Sequence, residues 1–178
     1  MGHSMASSRP PLRLVSLRFA VLAVLGSWVI AAAAQVAVPL WPVPMTMQTL
    51  AVLLLGALGG ARLGVASVAL YIAQGALGLP VFANGTGGIG VLAGPTAGYL
   101  LGFIPAAWIA GQARGGWWRA GATLCVAHLA LFVPGVAWLA GFVGLERALM
   151  AGFVLFIPGT LVKTALALVA MKGIRRQG

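Results

Sequence analysis

The chain has almost no acid: Glu146 is the one carboxylate side chain among 178 residues, and aspartate does not occur. Charged residues of all kinds make up 7%, where an ordinary soluble domain carries about a quarter. Too little polar surface is left to wet a globule of this size, which excludes a soluble enzyme and a nucleic-acid-binding domain. Cysteine occurs once, at Cys125; this excludes an internal disulfide and a cysteine-built metal site. In its apolar run Cys125 reads as a buried, inert thiol. No expected membrane span contains Asp or Glu, the groups a proton- or sodium-coupled porter places inside the membrane. No ATP-binding motif is present either. The chain can therefore build a solute pocket, but it has no means of its own to drive uphill transport. It implies no cofactor and no metal.

What is present is apolar sequence, 61% hydrophobic with a mean hydropathy of +1.05. At about 20 residues per span, the pattern predicts an all-α integral membrane protein of six helices. The expected spans are Leu17 to Ala37, Thr46 to Gly60, Leu63 to Leu79, Pro95 to Gln112, Ala120 to Val143, and a last helix from Pro158 to Lys172, preceded by a further apolar segment from Leu145 to Phe156. The first run lacks a convincing cleavage region behind it, so it reads as a span rather than a signal peptide. Residues 1–8 read as an expression-tag remnant, leaving a single domain over 9–178. Of the eleven cations, nine (Arg9, Arg13, Arg18, Arg62, Arg114, Arg119, Lys172, Arg175 and Arg176) fall on one side if there are six spans. By the positive-inside rule that side is cytoplasmic, and both termini lie there. Singletons between apolar runs are not a nucleic-acid patch. Trp117 and Trp118 beside Arg119 suit an interfacial belt.

The opposite half is irregular. Pro39-Leu40-Trp41-Pro42-Val43-Pro44 cannot be regular helix, because three prolines remove backbone donors. Gly78-Leu79-Pro80 ends the third span, and Asn84-Gly85-Thr86-Gly87-Gly88-Ile89-Gly90 follows it. The last helix restarts at Pro158, a residue suited to the first helical turn. Irregular backbone at membrane depth survives only where it is buried in protein or lines a cavity. Broken helices of this kind point to a solute site; three ordinary surface loops are the plainer alternative. Broken or re-entrant segments are thus expected to form an outward-side pocket.

Lys163 lies deep in the last span, where a charge is costly. No carboxylate is near it in sequence, so a ligand anion or carbonyl is its natural partner; snorkelling to the interface is the alternative. Thr160 shares its helical face. Gln48, with Thr46 and Thr49, opens the second span, and Asn84 opens the Gly-rich loop. Both amides can donate and accept, although Asn-Gly also suits a turn of positive φ. Tyr99 could cap a cavity or anchor at the interface. His128 reads as a packing histidine, and no companions exist for a metal. The Gly-rich loop lacks the Lys-Ser or Lys-Thr of a phosphate loop. Gly94, Gly98 and Gly102, spaced by four, favour close helix packing. Ala23, Ser27 and Ala31 form a similar stripe on the first span. That stripe serves either internal packing or the docking of a partner helix.

Three stretches resemble the BioY family, the biotin-specific substrate-binding subunits (S components) of energy-coupling-factor transporters. They are Pro42-Val43-Pro44-Met45-Thr46-Met47-Gln48-Thr49-Leu50, then Gly78 to Ala83 with Gly94-Pro95-Thr96-Ala97-Gly98-Tyr99-Leu100-Leu101-Gly102-Phe103, and Ile157-Pro158-Gly159 with Lys163. The resemblance implies a multi-pass protein of a prokaryotic cytoplasmic membrane that binds biotin in its outer half. It implies partners as well: a transmembrane coupling subunit and two ATPases, which alone use ATP. Docking is then expected through Ala23, Ser27 and Ala31. Lys163, Asn84, Gln48 and Tyr99 carry over as ligand contacts. Thr160 stands where the family usually has Asp, so one contact brings a hydroxyl instead of a charge. Trp41, Val43, Phe82 and Trp138 are expected to form the apolar wall. A self-sufficient facilitator for a small solute, an S component for another vitamin, and a membrane enzyme using His128 or Lys163 as base are the alternatives. The enzyme lacks an orienting acid. Self-association into a homo-oligomer stays open.

Overall fold

The computed structural model describes residues 12–175. The expected tag remnant at 1–8, together with Arg9 and Arg176, lies outside the described residues. Among those described, eight α-helices and one small hairpin follow each other: α1 (Leu12–Gln35), β1 (Ala37–Val38), β2 (Met45–Thr46), α2 (Gln48–Gly59), α3 (Ala61–Ala76), α4 (Ile89–Ala93), α5 (Ala97–Ala110), α6 (Trp117–Val143), α7 (Leu145–Gly152) and α8 (Ile157–Arg175). Single 3-10 turns lie at Ala83–Gly85 and Val154–Phe156.

Three stretches are long and apolar enough to cross a membrane: Ser16–Gln35, Trp117–Val143, and Leu145–Ile174, which α7 and α8 share. Gln48–Gly59 and Ala97–Ala110 are apolar but shorter. At 1.5 Å per residue, the 12 residues of α2 span only about 18 Å. Its shortness comes from the proline segment before it. That segment is held out of helix by the β1–β2 hairpin, with Ala37 opposite Thr46 and Val38 opposite Met45. The Trp41–Pro42 bond within it is cis.

Where helices have apolar lipid around them, no hydrophobic difference separates inside from outside, and close packing must hold them together. The contact among α2, α3 and α5 is of this kind. A Cβ on Gly56 would come within 2.4 Å of the Ala107 carbonyl oxygen, so backbone meets backbone there. Gly60 makes the one-residue turn from α2 to α3 at φ +85°, a conformation that costs glycine nothing. The α5–α6 contact works similarly. Cβ atoms at Gly98 and Gly102 would lie 2.4 Å from the Pro134 carbonyl oxygen and 2.7 Å from that of Leu131. The expected glycine stripe therefore packs helices through two of its members. Gly94 precedes α5, and its carbonyl accepts the Trp138 indole N–H at 2.9 Å.

Two expectations are corrected here. Ala23, Ser27 and Ala31 are buried inside the molecule, and α1 packs mainly on α3. Ser27 is fully buried and its hydroxyl donates to the Val24 carbonyl at 2.7 Å. A partner helix cannot reach this stripe, so it is internal packing and not a docking surface. The exposed face of α1 carries Leu22, Leu25 and Val29 instead. Cys125 is exposed on α6 rather than buried, because on a helix in lipid an apolar neighbourhood in sequence does not distinguish interior from exterior.

Candidate ligand-binding site

A cavity of about 190 Å³ opens where the irregular segments meet. By the same measure a single water needs only about 10–15 Å³, so the space is of small-molecule rather than ion size. Its walls come from six parts of the chain: the proline segment with β2 and the first turn of α2, the 82–86 loop, Val91 of α4, α5 with Thr96 before it, α6, and the start of α8 with Phe156 before it.

Lys163 is the cavity's charge. It is buried, 5% exposed, and its Nζ donates to the Thr46 carbonyl at 2.8 Å and to Thr49 Oγ1 at 3.0 Å. The amine thus has protein partners, which the sequence did not disclose. An ammonium has three donors, so one remains beyond these two bonds. Among the described residues no carboxylate lines the cavity; Glu146 lies in the first turn of α7. Only dipoles balance the charge, and a carboxylate or carbonyl on a ligand would complete it. Thr160, one helical turn before Lys163, also lines the cavity.

The polar floor, Thr46 and Gln48, is tied to Tyr71 behind it. Thr46 Oγ1 donates to Gln48 Oε1 at 2.8 Å, and Gln48 Nε2 donates to the Tyr71 hydroxyl. All three are buried. Tyr71 comes from the middle of α3, far from any break, and nothing local in the sequence marked it. Its ring meets Phe82 edge-on at 5.4 Å between centroids, so the floor also supports the loop wall. Asn84 lines the cavity and has φ +59° and ψ +29°. The turn role and the pocket role are therefore both filled by one residue.

Tyr99 divides its functions. The residue lines the cavity, while its hydroxyl donates to the Gly152 carbonyl at 2.9 Å and ties α5 to the end of α7. The ring stacks on Phe156 at 6.3 Å and meets Phe132 edge-on at 6.3 Å. Phe132, Phe156 and Phe103 make the apolar wall together with Phe82 and Val43. Trp41 and Trp138 do not belong to it: Trp41 is 80% exposed on the proline segment, and Trp138 leans on Phe142 on the outside of α6. Phenylalanines inside continuous apolar runs gave no signal, whereas the tryptophans stood out in sequence for reasons unrelated to the wall.

His128 is buried behind the cavity. Its Nδ1 lies 3.0 Å from Thr164 Oγ1, which donates to the Thr160 carbonyl at 2.8 Å. The Thr164 hydrogen is thereby committed, so Nδ1 carries the proton and donates. His128 packs α6 against α8 and does not line the cavity. No group of three His, Cys, Asp or Glu residues suited to a metal occurs among the described residues.

A cavity built by broken helices, with one buried cation in an aromatic shell, defines a small-solute-binding membrane protein. The sequence profile of the BioY family matches residues 5–178, and the chain belongs to that family. A probable biotin transporter BioY of Pyrococcus horikoshii is 41% identical over 136 residues, covering 76% of this chain and 83% of that protein. The biotin transporter BioY of Thermotoga maritima is 38% identical over 162 residues, 86% of this chain and 90% of its own length. The crystal structure of the S-component for biotin from an ECF-type ABC transporter has the same fold. It matches with a TM-score of 0.84 at 22% identity, covering 95% of this chain and 96% of that one.

Proposed function

We propose that this protein binds biotin and serves its uptake across the membrane as the S component of an energy-coupling-factor transporter. Family membership and relatives named as biotin transporters support this reading. The observation that carries it to the cavity is the buried Lys163 amine, bound to Thr46 and Thr49 and facing an aromatic shell with no carboxylate. Biotin has a carboxylate at one end, a ureido group at the other and apolar carbons between. A mostly apolar cavity with a few placed polar groups suits such a molecule. Lys163, Thr160, Asn84, Gln48 and Thr46 are the polar contacts in this reading, and Phe82, Phe132 and Phe156 the apolar ones.

The membrane arrangement in this reading has six spans, α1, α2, α3, α5, α6 and α8, with both ends on the cytoplasmic side of a prokaryotic inner membrane. The Arg62, Arg114 and Arg119 turns support it, since all three then share the positive side. A cysteine replacing Arg114 that reacts with an impermeant thiol reagent on intact cells would refute that orientation. The partners in this reading are a transmembrane coupling subunit and two ATPases, reached through surfaces other than the buried α1 stripe. The chain is not an enzyme in this reading.

The decisive experiment is calorimetry of the purified protein against biotin and the other water-soluble vitamins. Heat with biotin and none with the others is expected. Heat with a different vitamin and none with biotin overturns the assignment.

A further inference from the structure

We propose that Gln35, the last residue of α1, is a positioning residue that latches the 81–85 loop over the cavity and sets the rate at which ligand leaves. The inference rests on the binding reading for its kinetic consequence, but its structural part does not depend on which ligand binds.

A terminal amide can donate two hydrogens and accept at its oxygen. Gln35 uses both capacities at once. The two hydrogens of its Nε2 are shared among three carbonyls: Phe82 at 3.1 Å, Val81 at 3.4 Å, and Ala31 of its own helix at 3.1 Å. Its Oε1 accepts from the Gly85 backbone N–H at 3.0 Å. One side chain therefore closes both ends of a loop that is some 46 to 50 residues away in sequence. The bond to Ala31 caps α1 and fixes the side chain's origin on a regular helix.

The clamped loop is the movable wall of the cavity. Phe82, Ala83, Asn84 and Thr86 line it. Within the loop, the bonds are short-range: Phe82 N–H to the Thr86 carbonyl at 2.9 Å, and the Thr86 hydroxyl to the Ala83 carbonyl at 2.9 Å. These hold the loop's shape but not its place. The Phe82 ring against Tyr71 and the Gly88 N–H, which donates to the Gly75 carbonyl at 2.7 Å, hold the segment to α3; the glutamine clamp holds it to α1. Gln35 is itself exposed, so water can compete for each of its bonds. Buried ties such as Lys163 to Thr46 have no such competitor. An exposed clamp of three contacts to this wall, whose anchors on α3 are one ring contact and one backbone bond beyond it, is suited to open and reclose without unfolding the helices.

The test uses the full-length protein and two variants. Gln35→Leu keeps the side chain's bulk and removes every bond. Gln35→Glu keeps an oxygen acceptor for Gly85 and removes the donors to Val81 and Phe82. Amide hydrogen exchange of the ligand-free protein is read first. In Gln35→Leu, exchange across residues 82–86 should rise by about tenfold, the scale set by losing a few net hydrogen bonds, while α5 and α6 are unchanged. Gln35→Glu should fall between it and the wild type. Biotin dissociation, followed by chase with unlabelled biotin, should speed up by about tenfold in Gln35→Leu, with the association rate within about threefold. Unchanged exchange at 82–86 overturns the latch. So does a rise in exchange spread equally over α5 and α6, which would make Gln35 a residue of general stability. Wild-type protein that binds no biotin sinks the functional reading alone and leaves the exchange result to decide the latch.

Discussion

The two ends of the molecule are fastened by different means. At the Gly60 turn, α2, α3 and α5 approach backbone to backbone, with nothing but glycine and alanine between them. At the cavity end the same helices are held apart by the hairpin and the 77–88 loop, and side-chain hydrogen bonds do the fastening: Lys163 to Thr46 and Thr49, Gln48 to Tyr71, Tyr99 to Gly152. Backbone contacts leave no room for an alternative arrangement, because each is fixed by the helix axis itself. Side-chain bonds can each be broken and remade. One end is therefore built as a fixed hub and the other as a set of separable ties around a space.

The strongest way to break that comparison is to disturb the hub. Gly56→Val places branched carbons where a single Cβ would already lie 2.4 Å from a backbone oxygen. Overpacking of this kind costs about 1–3 kcal/mol or more. A large fall in the apparent melting temperature and loss of the monodisperse peak on size exclusion are expected; a stable, monodisperse variant would show that the hub can yield. A smaller effect on folding and a larger one on binding is expected at Lys163→Ala. Loss of a hydrogen bond to a charged group should weaken biotin by roughly 1.5–3 kcal/mol, measured by calorimetry. Removing an intramembrane charge also relieves an insertion cost, so the folded peak should persist. Unchanged affinity would make Lys163 a tie between α8 and α2 and nothing more. The smallest effect belongs to Tyr99→Phe, which keeps the ring against Phe156 and deletes the bond to Gly152. Stability should fall by about 1 kcal/mol with affinity nearly unchanged. A large loss of affinity instead would mean that the hydroxyl turns to the ligand.

The broken elements and their polar residues were legible because they violate the surrounding pattern. Prolines, an Asn-Gly turn and one lysine within apolar sequence stand out, and the structure brings Thr46, Gln48, Asn84, Thr160 and Lys163 to one cavity. Val43 and Phe82 of the wall were legible beside those breaks, but Tyr71, Gln35, Phe103, Phe132 and Phe156 were not. Where both lipid and interior are apolar, hydrophobic periodicity no longer says which way a helix is turned, and membership of the wall depends on that rotation. The same ambiguity explains the α1 stripe. Small residues every fourth position state that something packs closely there; Ala23, Ser27 and Ala31 are spent on packing within the molecule. Trp41 failed for a related reason, since the turn of the proline segment decides which of its residues face inward.

The bond between Lys163 and the Thr46 carbonyl joins positions 117 residues apart, and this has a consequence for biosynthesis. The β1–β2 hairpin and the first turn of α2 are local and can form as soon as they emerge. The oxygen of Thr46 and the hydroxyl of Thr49 must then wait through the synthesis of five further helices for the amine that satisfies them. Contacts of such long sequence separation form late, after the entropy of closing the intervening chain has been met. The cavity is therefore the last feature to mature, and a chain arrested before α8 has a nearly complete bundle with no ligand site.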